Sequence, residues 1–102
     1  MKESAIESRL RAGVKSLGGI AYKFVSPGNA GVPDRLVVLP GGKVIFAELK
    51  TDTGKLSGLQ AFQIRTLEGL GAEVWVVRGE AGVREFLDRC RQEVKMFEVH
   101  AP

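Results

Sequence analysis

Asp34-Arg35-Leu36-Val37-Val38-Leu39-Pro40-Gly41-Gly42-Lys43-Val44-Ile45-Phe46-Ala47-Glu48-Leu49-Lys50 has the outline of a β-hairpin. Residues 35–39 are β-branched and leucine-rich, Pro40-Gly41-Gly42 is a turn, and residues 43–50 return as a second strand. With the turn centred at Gly41-Gly42, Asp34 falls opposite Lys50 or its neighbours, and Glu48 lies one pair further in. Glu48 and Lys50 share a face because they are two residues apart, while Leu49 points to the other face, toward the core. The apolar run 44–47 thus ends abruptly in charges, at the same end of the hairpin as Asp34.

Working outward, Ser26-Pro27-Gly28-Asn29-Ala30-Gly31-Val32-Pro33 carries two prolines and two glycines. That composition excludes a regular element and specifies an ordered loop that delivers Asp34 to its strand. Before the loop, Ile6, Leu10, Val14 and Leu17 form one helical stripe, predicting a helix over about 4–17. Ser4 and Glu7 match a capping box, Gly18-Gly19 stops the helix, and residues 20–25 read as a strand. After the hairpin, residues 51–56 are a polar loop, and Ser57 with Gln60 forms a second capping-box match. The helix it opens runs to about residue 70, with Leu59, Phe62, Leu67 and Leu70 as its expected apolar face. Residues 73–78 form a strand centred on Val74-Trp75-Val76-Val77, with Trp75 expected in the core or, as the alternative, at a dimer surface. A last helix is expected over about 80–93, with Val83, Phe86, Leu87 and Cys90 inward, and residues 94–102 as a tail: an edge strand or a mobile end. The order is α-β-β-β-α-β-α. The strand–helix–strand unit over 43–78 pairs its strands in parallel, the hairpin adds antiparallel neighbours, and an α/β fold follows: a small mixed sheet flanked by helices.

The chain has 102 residues, 44% of them hydrophobic, which is one domain with one core over 1–102. A formal charge of +3 and a pI near 9.3 suit a nucleic-acid partner without proving one. The single cysteine, Cys90, excludes an internal disulfide and a cysteine-based zinc site. The single histidine, His100, stands in the tail, which argues against histidine-dependent nucleophilic catalysis. No apolar run reaches membrane-spanning length, and Met1-Lys2-Glu3-Ser4 opens no signal peptide, so a cytoplasmic protein without membrane contact or organic cofactor is expected.

Two carboxylates and an amine gathered at one hairpin end suit metal-dependent hydrolysis of phosphodiesters. Magnesium takes oxygen ligands and keeps several waters, so Asp34, Glu48 and the Leu49 backbone carbonyl are the candidate ligands, with manganese as a substitute ion. Such an ion polarises a phosphate and acidifies water. Lys50 is the candidate for orienting that water and stabilising charge at phosphorus. Glu7 could ligate directly or through water and create a second metal site. Taken singly, these residues have plainer explanations: a charge pair at a strand end, a turn aspartate, and capping boxes for Glu7 and Gln60.

The joint pattern resembles the VRR-NUC family of the PD-(D/E)xK nuclease superfamily, and implies that superfamily's restriction-endonuclease-like core. The likeness covers about residues 3–78: Glu7 in the first helix, Ser26-Pro27-Gly28 leading to Gly31-Val32-Pro33-Asp34-Arg35, residues 44–50 ending in Glu48-Leu49-Lys50, Leu56-Ser57 with Gln60, then 74–77. Gly58 departs from the family pattern, where proline commonly follows the serine. The resemblance implies a divalent-metal-dependent DNA endonuclease with Asp34 and Glu48 as metal ligands, Lys50 as the catalytic lysine, Glu7 as an auxiliary acid and Gln60 as an active-site polar residue. Gln63 is a second candidate for the glutamine role. Stand-alone members are short proteins of viruses and bacteria, so the resemblance further implies a homodimer acting on branched DNA such as four-way (Holliday) junctions in repair or recombination, in the host-cell cytoplasm for a viral protein.

Candidate DNA contacts are Lys23, Asn29, Arg35, Lys55 and Arg65, with Lys43 and, on the first helix, Arg9, Arg11 and Lys15. Asn29 equally suits a left-handed turn. Two-fold pairing would double a modest basic surface and set two sites for paired nicks. Three alternatives stand beside this reading: a duplex endonuclease or nicking enzyme indifferent to branches, a DNA-binding module without catalysis, and a structural protein in which these charges are salt bridges.

Overall fold

The computed structural model describes residues 1–101; Pro102 lies outside them. In chain order the elements are α1 (Glu3–Ser16), β1 (Ile20–Lys23), β2 (Arg35–Val38), β3 (Val44–Lys50), α2 (Gly58–Gly69), β4 (Glu73–Arg78) and α3 (Gly79–His100). One sheet holds the strands in the order β1-β2-β3-β4, antiparallel across the first two pairs and parallel between β3 and β4. The α/β class and the element order match the sequence reading.

The register explains the layers. Ala21, Val37 and Ile45 lie side by side across the sheet, as do Arg35, Ala47 and Trp75. On this face α1 and α3 close the core, where Ile6, Leu10, Val14, Val37, Ile45, Ala47, Leu49, Phe86 and Cys90 are at most 1% exposed. Trp75 packs edge-on against Phe86, with ring centroids 5.9 Å apart. Burial pushes the Cys90 thiol up to about 11, as befits a packing residue. The opposite face carries Tyr22, Leu36, Phe46 and Val74 in one row and Glu48 beside Val76 in another. Here α2 lies against β4, and much of β1 and β2 has no layer above it.

Four expectations need correction. The first helix begins at Glu3 with Lys2 as its N-cap, whose side chain has no acceptor for a cap bond; Ser4 falls inside the helix, and the Glu7 carboxylate bonds Arg35. The hairpin pairs Arg35 with Ala47 and Leu36 with Phe46, one residue away from the expected register. Leu39 N–H donates to Lys43 at 2.9 Å, closing a loop of Pro40-Gly41-Gly42 centred on Gly41 rather than between the glycines. The expected inner face of α2 is mostly outward: Ile64 is its buried residue, while Leu59, Phe62 and Leu70 are exposed, because the helix has the sheet on one side and solvent on the other. Finally, α3 reaches His100, so the expected tail is helix up to that residue. Val83, Phe86, Cys90 and Val94 continue one stripe, and Phe97 then packs against the backbone of Gly41 in the hairpin turn.

Asp52 makes the β4–α3 junction tight. Gly79 has φ +58°, a left-handed conformation that favours glycine, and a Cβ there would press on the Asp52 carboxylate. Among the described residues no helix is long and apolar enough to cross a membrane.

Candidate active site

Strands β2 and β3 part company where the charges begin. Their pairing ends at Arg35 and Ala47, while β3 continues beside β4 until Lys50 faces Arg78. One step beyond Arg35 the corrected register sets Asp34 against Glu48 rather than Lys50. Asp34 follows buried Pro33 and reaches into the fork, where its Oδ2 accepts the Leu49 N–H at 2.9 Å. Within a strand, the N–H and C=O of one residue point to the same neighbour. The Leu49 carbonyl therefore faces the Asp34 side, while its side chain sits in the core.

Glu48 is the electrostatic centre. It is 1% exposed. Its Oε2 accepts from Gln60 Nε2 at 3.2 Å and lies 3.8 Å from Lys50 Nζ, whereas Oε1 is buried with no hydrogen-bond partner. Burial above all, then the charge and contact of Asp34, push its carboxyl up to about 8; Lys50 opposes the shift. Two carboxylates beside one lysine, with one buried oxygen unpartnered, leave the cation-free site short of positive charge, and Glu48 meets that shortage by holding a proton. A hard divalent cation between Asp34 and Glu48 would supply that charge. The described residues contain no cluster of three or more His, Cys, Asp or Glu side chains arranged for a metal. Magnesium needs none: one or two carboxylates, a carbonyl, waters and substrate phosphate suffice. The donor set fits.

The other expected residues divide into near and far. Gln60 reaches Glu48, whereas Gln63 donates to the Ala30 carbonyl at 3.3 Å. Glu7, with Arg35, stands at the α1 side of the sheet; the Arg35 guanidinium bonds the Glu7 carboxylate and the Ala21 carbonyl. Arg35 is therefore a buried bracket between α1 and β1, 7% exposed, and not an open phosphate contact. Lys43 lies at the far end of β3, 3.3 Å from Glu73, and Arg9 pairs with Glu80 at 2.9 Å. Lys23, Lys55 and Arg65 are exposed, and Arg11 and Lys15 line a groove between α1 and β1. Asn29 donates to Ser26 Oγ at 3.0 Å, within its own loop.

Arg78 escaped the sequence reading. The parallel register sets it beside Lys50, and its guanidinium bonds the Gly54 carbonyl in the loop after β3. No local pattern points to it; only strand pairing brings residue 78 to residue 50.

No family model matches the sequence. A curated relative, "Putative nuclease p44" of Acyrthosiphon pisum secondary endosymbiont phage 1, is 49% identical over 77 residues, which are 76% of this chain and 83% of that protein. A solved structure described as a VRR_NUC domain superposes with a TM-score of 0.71 at 26% identity, covering 98% of this chain and 97% of its own.

Proposed function

The chain belongs to the VRR-NUC family of nucleases, and from that premise we propose that it is a divalent-metal-dependent DNA endonuclease acting on branched DNA such as four-way junctions. One observation carries the metal dependence: the orphan Oε1 of buried Glu48, opposite Asp34 in the fork between β2 and β3. Asp34, Glu48 and the Leu49 carbonyl would hold magnesium, with manganese as substitute. When bound, the ion supplies charge neutralisation at phosphate and acidification of water.

The chain's own groups do the rest. Lys50, two residues from Glu48 on the same face, directs an ammonium at the space beside the Glu48 carboxylate, where it can hydrogen-bond an attacking water and stabilise negative charge growing at phosphorus. Gln60 holds the Glu48 carboxylate in place from α2. The engagement of Glu7 by Arg35 favours one cation per site over two. Lys23, Lys55 and Arg65, with Arg11 and Lys15 on α1, are the candidate phosphate contacts left open.

A homodimer is part of this reading. Ile20, Tyr22 and Val44 are 53%, 54% and 40% exposed on the uncovered sheet face, and Leu59 and Phe62 are exposed on α2. Exposed apolar residues on an uncovered sheet face suit a partner, and a second copy would also pair two sites for two cuts.

The test is cleavage of a labelled four-way junction and a matched linear duplex with magnesium, manganese or EDTA, for wild type beside Glu48→Ala and Asp34→Ala. Metal-dependent paired cuts in the junction, absent from both variants, are expected. Equal cutting of both substrates would remove the branch preference, and cutting in EDTA would remove the metal.

A further inference from the structure

The Gln60 side chain has both ends occupied. Its Oε1 accepts the Ser57 N–H at 2.9 Å, its Nε2 donates to Glu48 at 3.2 Å, and its backbone N–H donates to Ser57 Oγ at 3.1 Å. With the amide oxygen taken by the capping box, the NH₂ group is left to face the carboxylate. The α2 cap thus fixes which end of the amide meets Glu48, as well as where it stands.

The loop before β2 sets the first turn of α2. Gly31 has φ +89°, and a Cβ there would lie 2.7 Å from the carbonyl carbon of Leu59 and 2.9 Å from Gln60 N. Those atoms are backbone and cannot turn aside, so only glycine permits this approach. One residue earlier, the Ala30 carbonyl accepts from Gln63 at 3.3 Å. The same loop ends in Asp34, whose Oδ2 holds Leu49 N–H.

We infer that Gly31, Ser57 and Gln63 are positioning residues for the reaction. They touch neither phosphate nor ion. They seat the Gln60 amide on Glu48, so that one loop governs both sides of the fork: Asp34 directly, and Glu48 through α2. This inference rests on the reading of Glu48 as an active-site carboxylate.

The test follows the Gln60 side-chain amide by NMR in the ¹⁵N-labelled full chain, beside single-turnover cleavage with magnesium. In wild type the Gln60 Nε2 protons should exchange slowly with water. Ser57→Ala should speed that exchange several-fold, and Ser57→Thr, which keeps the hydroxyl, should restore it. Gly31→Ala should behave as Ser57→Ala, and Gln63→Ala should loosen the amide less. Cleavage should slow about tenfold in Ser57→Ala at an unchanged half-saturating DNA concentration, with no further loss when Ser57→Ala is added to Gln60→Ala. A folded Ser57→Ala protein with wild-type amide exchange would overturn the inference, as would losses that multiply in the double variant. If Gly31→Ala does not fold, the Ser57 pair decides. The amide readout needs no cleavage, so a wild type that cuts no DNA refutes the nuclease reading while exchange still decides the positioning.

Discussion

Glu48 holds a proton in the folded, cation-free protein at a pH where the unfolded chain has released it. Its carboxyl is raised from 4.5 to about 8, so this group's contribution to stability is fullest below about pH 4.5 and falls as pH rises through 8. Glu48→Gln, with no proton to lose, should be more stable than wild type in EDTA by roughly 2–4 kcal/mol at pH 8. The gap should close toward pH 4.5, as measured by urea unfolding across that range. The same variant should not cleave DNA: the site is built at the expense of the fold. For Lys50→Ala, cleavage should slow by about 10²–10³ with DNA affinity nearly unchanged, measured by single-turnover rates and fluorescence anisotropy. At this scale the gathering of Asp34, Glu48, Lys50 and Gln60 at one end of the hairpin was legible in the sequence. The engagement of Arg35 and Glu7 with each other was not, since residues on an N-terminal helix and a central strand carry no local sign of their contact.

Between elements, the clearest fastening is that of α3 to β4. Arg89 grips the Glu73 carboxylate with two bonds of 2.8 Å, and Trp75 Nε1 donates to the same carboxylate at 2.8 Å. Against its partial burial, the bonds from Arg89, Trp75 and Lys43 hold the Glu73 carboxyl down at about 2. Because this pKa lies below that of the unfolded chain, the contribution is complete above about pH 4.5 and is lost as pH falls through 2. Glu73→Gln should therefore cost about 2–3 kcal/mol at pH 7, with the difference from wild type vanishing toward pH 2 in denaturant titrations. The elements themselves were legible: apolar periodicity, the second capping box and the glycine stops located all seven. The misread ends share a cause. The tail beyond Val94 is helical because Phe97 finds the hairpin turn to pack on, and a stripe of residues does not announce whether a partner lies opposite.

For the whole molecule, the open apolar face of β1 and β2 is the main feature left without a layer. Tyr22→Glu should give a monomer by sedimentation and uncouple paired cuts into single nicks, while leaving the fold intact, because Tyr22 is 54% exposed within one protomer. If Lys23, Lys55 and Arg65 carry the phosphate contacts, as proposed, each protomer offers few of them, and a dimer should show about twice the salt dependence of a monomeric variant in binding titrations.

The sequence by itself determined the α/β class, the element order and the charged residues of the candidate site, because each rests on short-range rules: strand alternation, helical periodicity, capping, and glycine and proline in turns. It also carried enough of the family pattern to be recognised. Only the tertiary structure decided that Asp34 meets Glu48 instead of Lys50, that Arg35 is a buried bracket, that α2 turns Leu59 and Phe62 outward, and that Arg78 stands beside Lys50. Each depends on register or on which layer covers which face. A one-residue difference at Gly41-Gly42 changes which residues meet several pairs away, and that difference is settled by how the whole hairpin packs rather than by the turn residues alone.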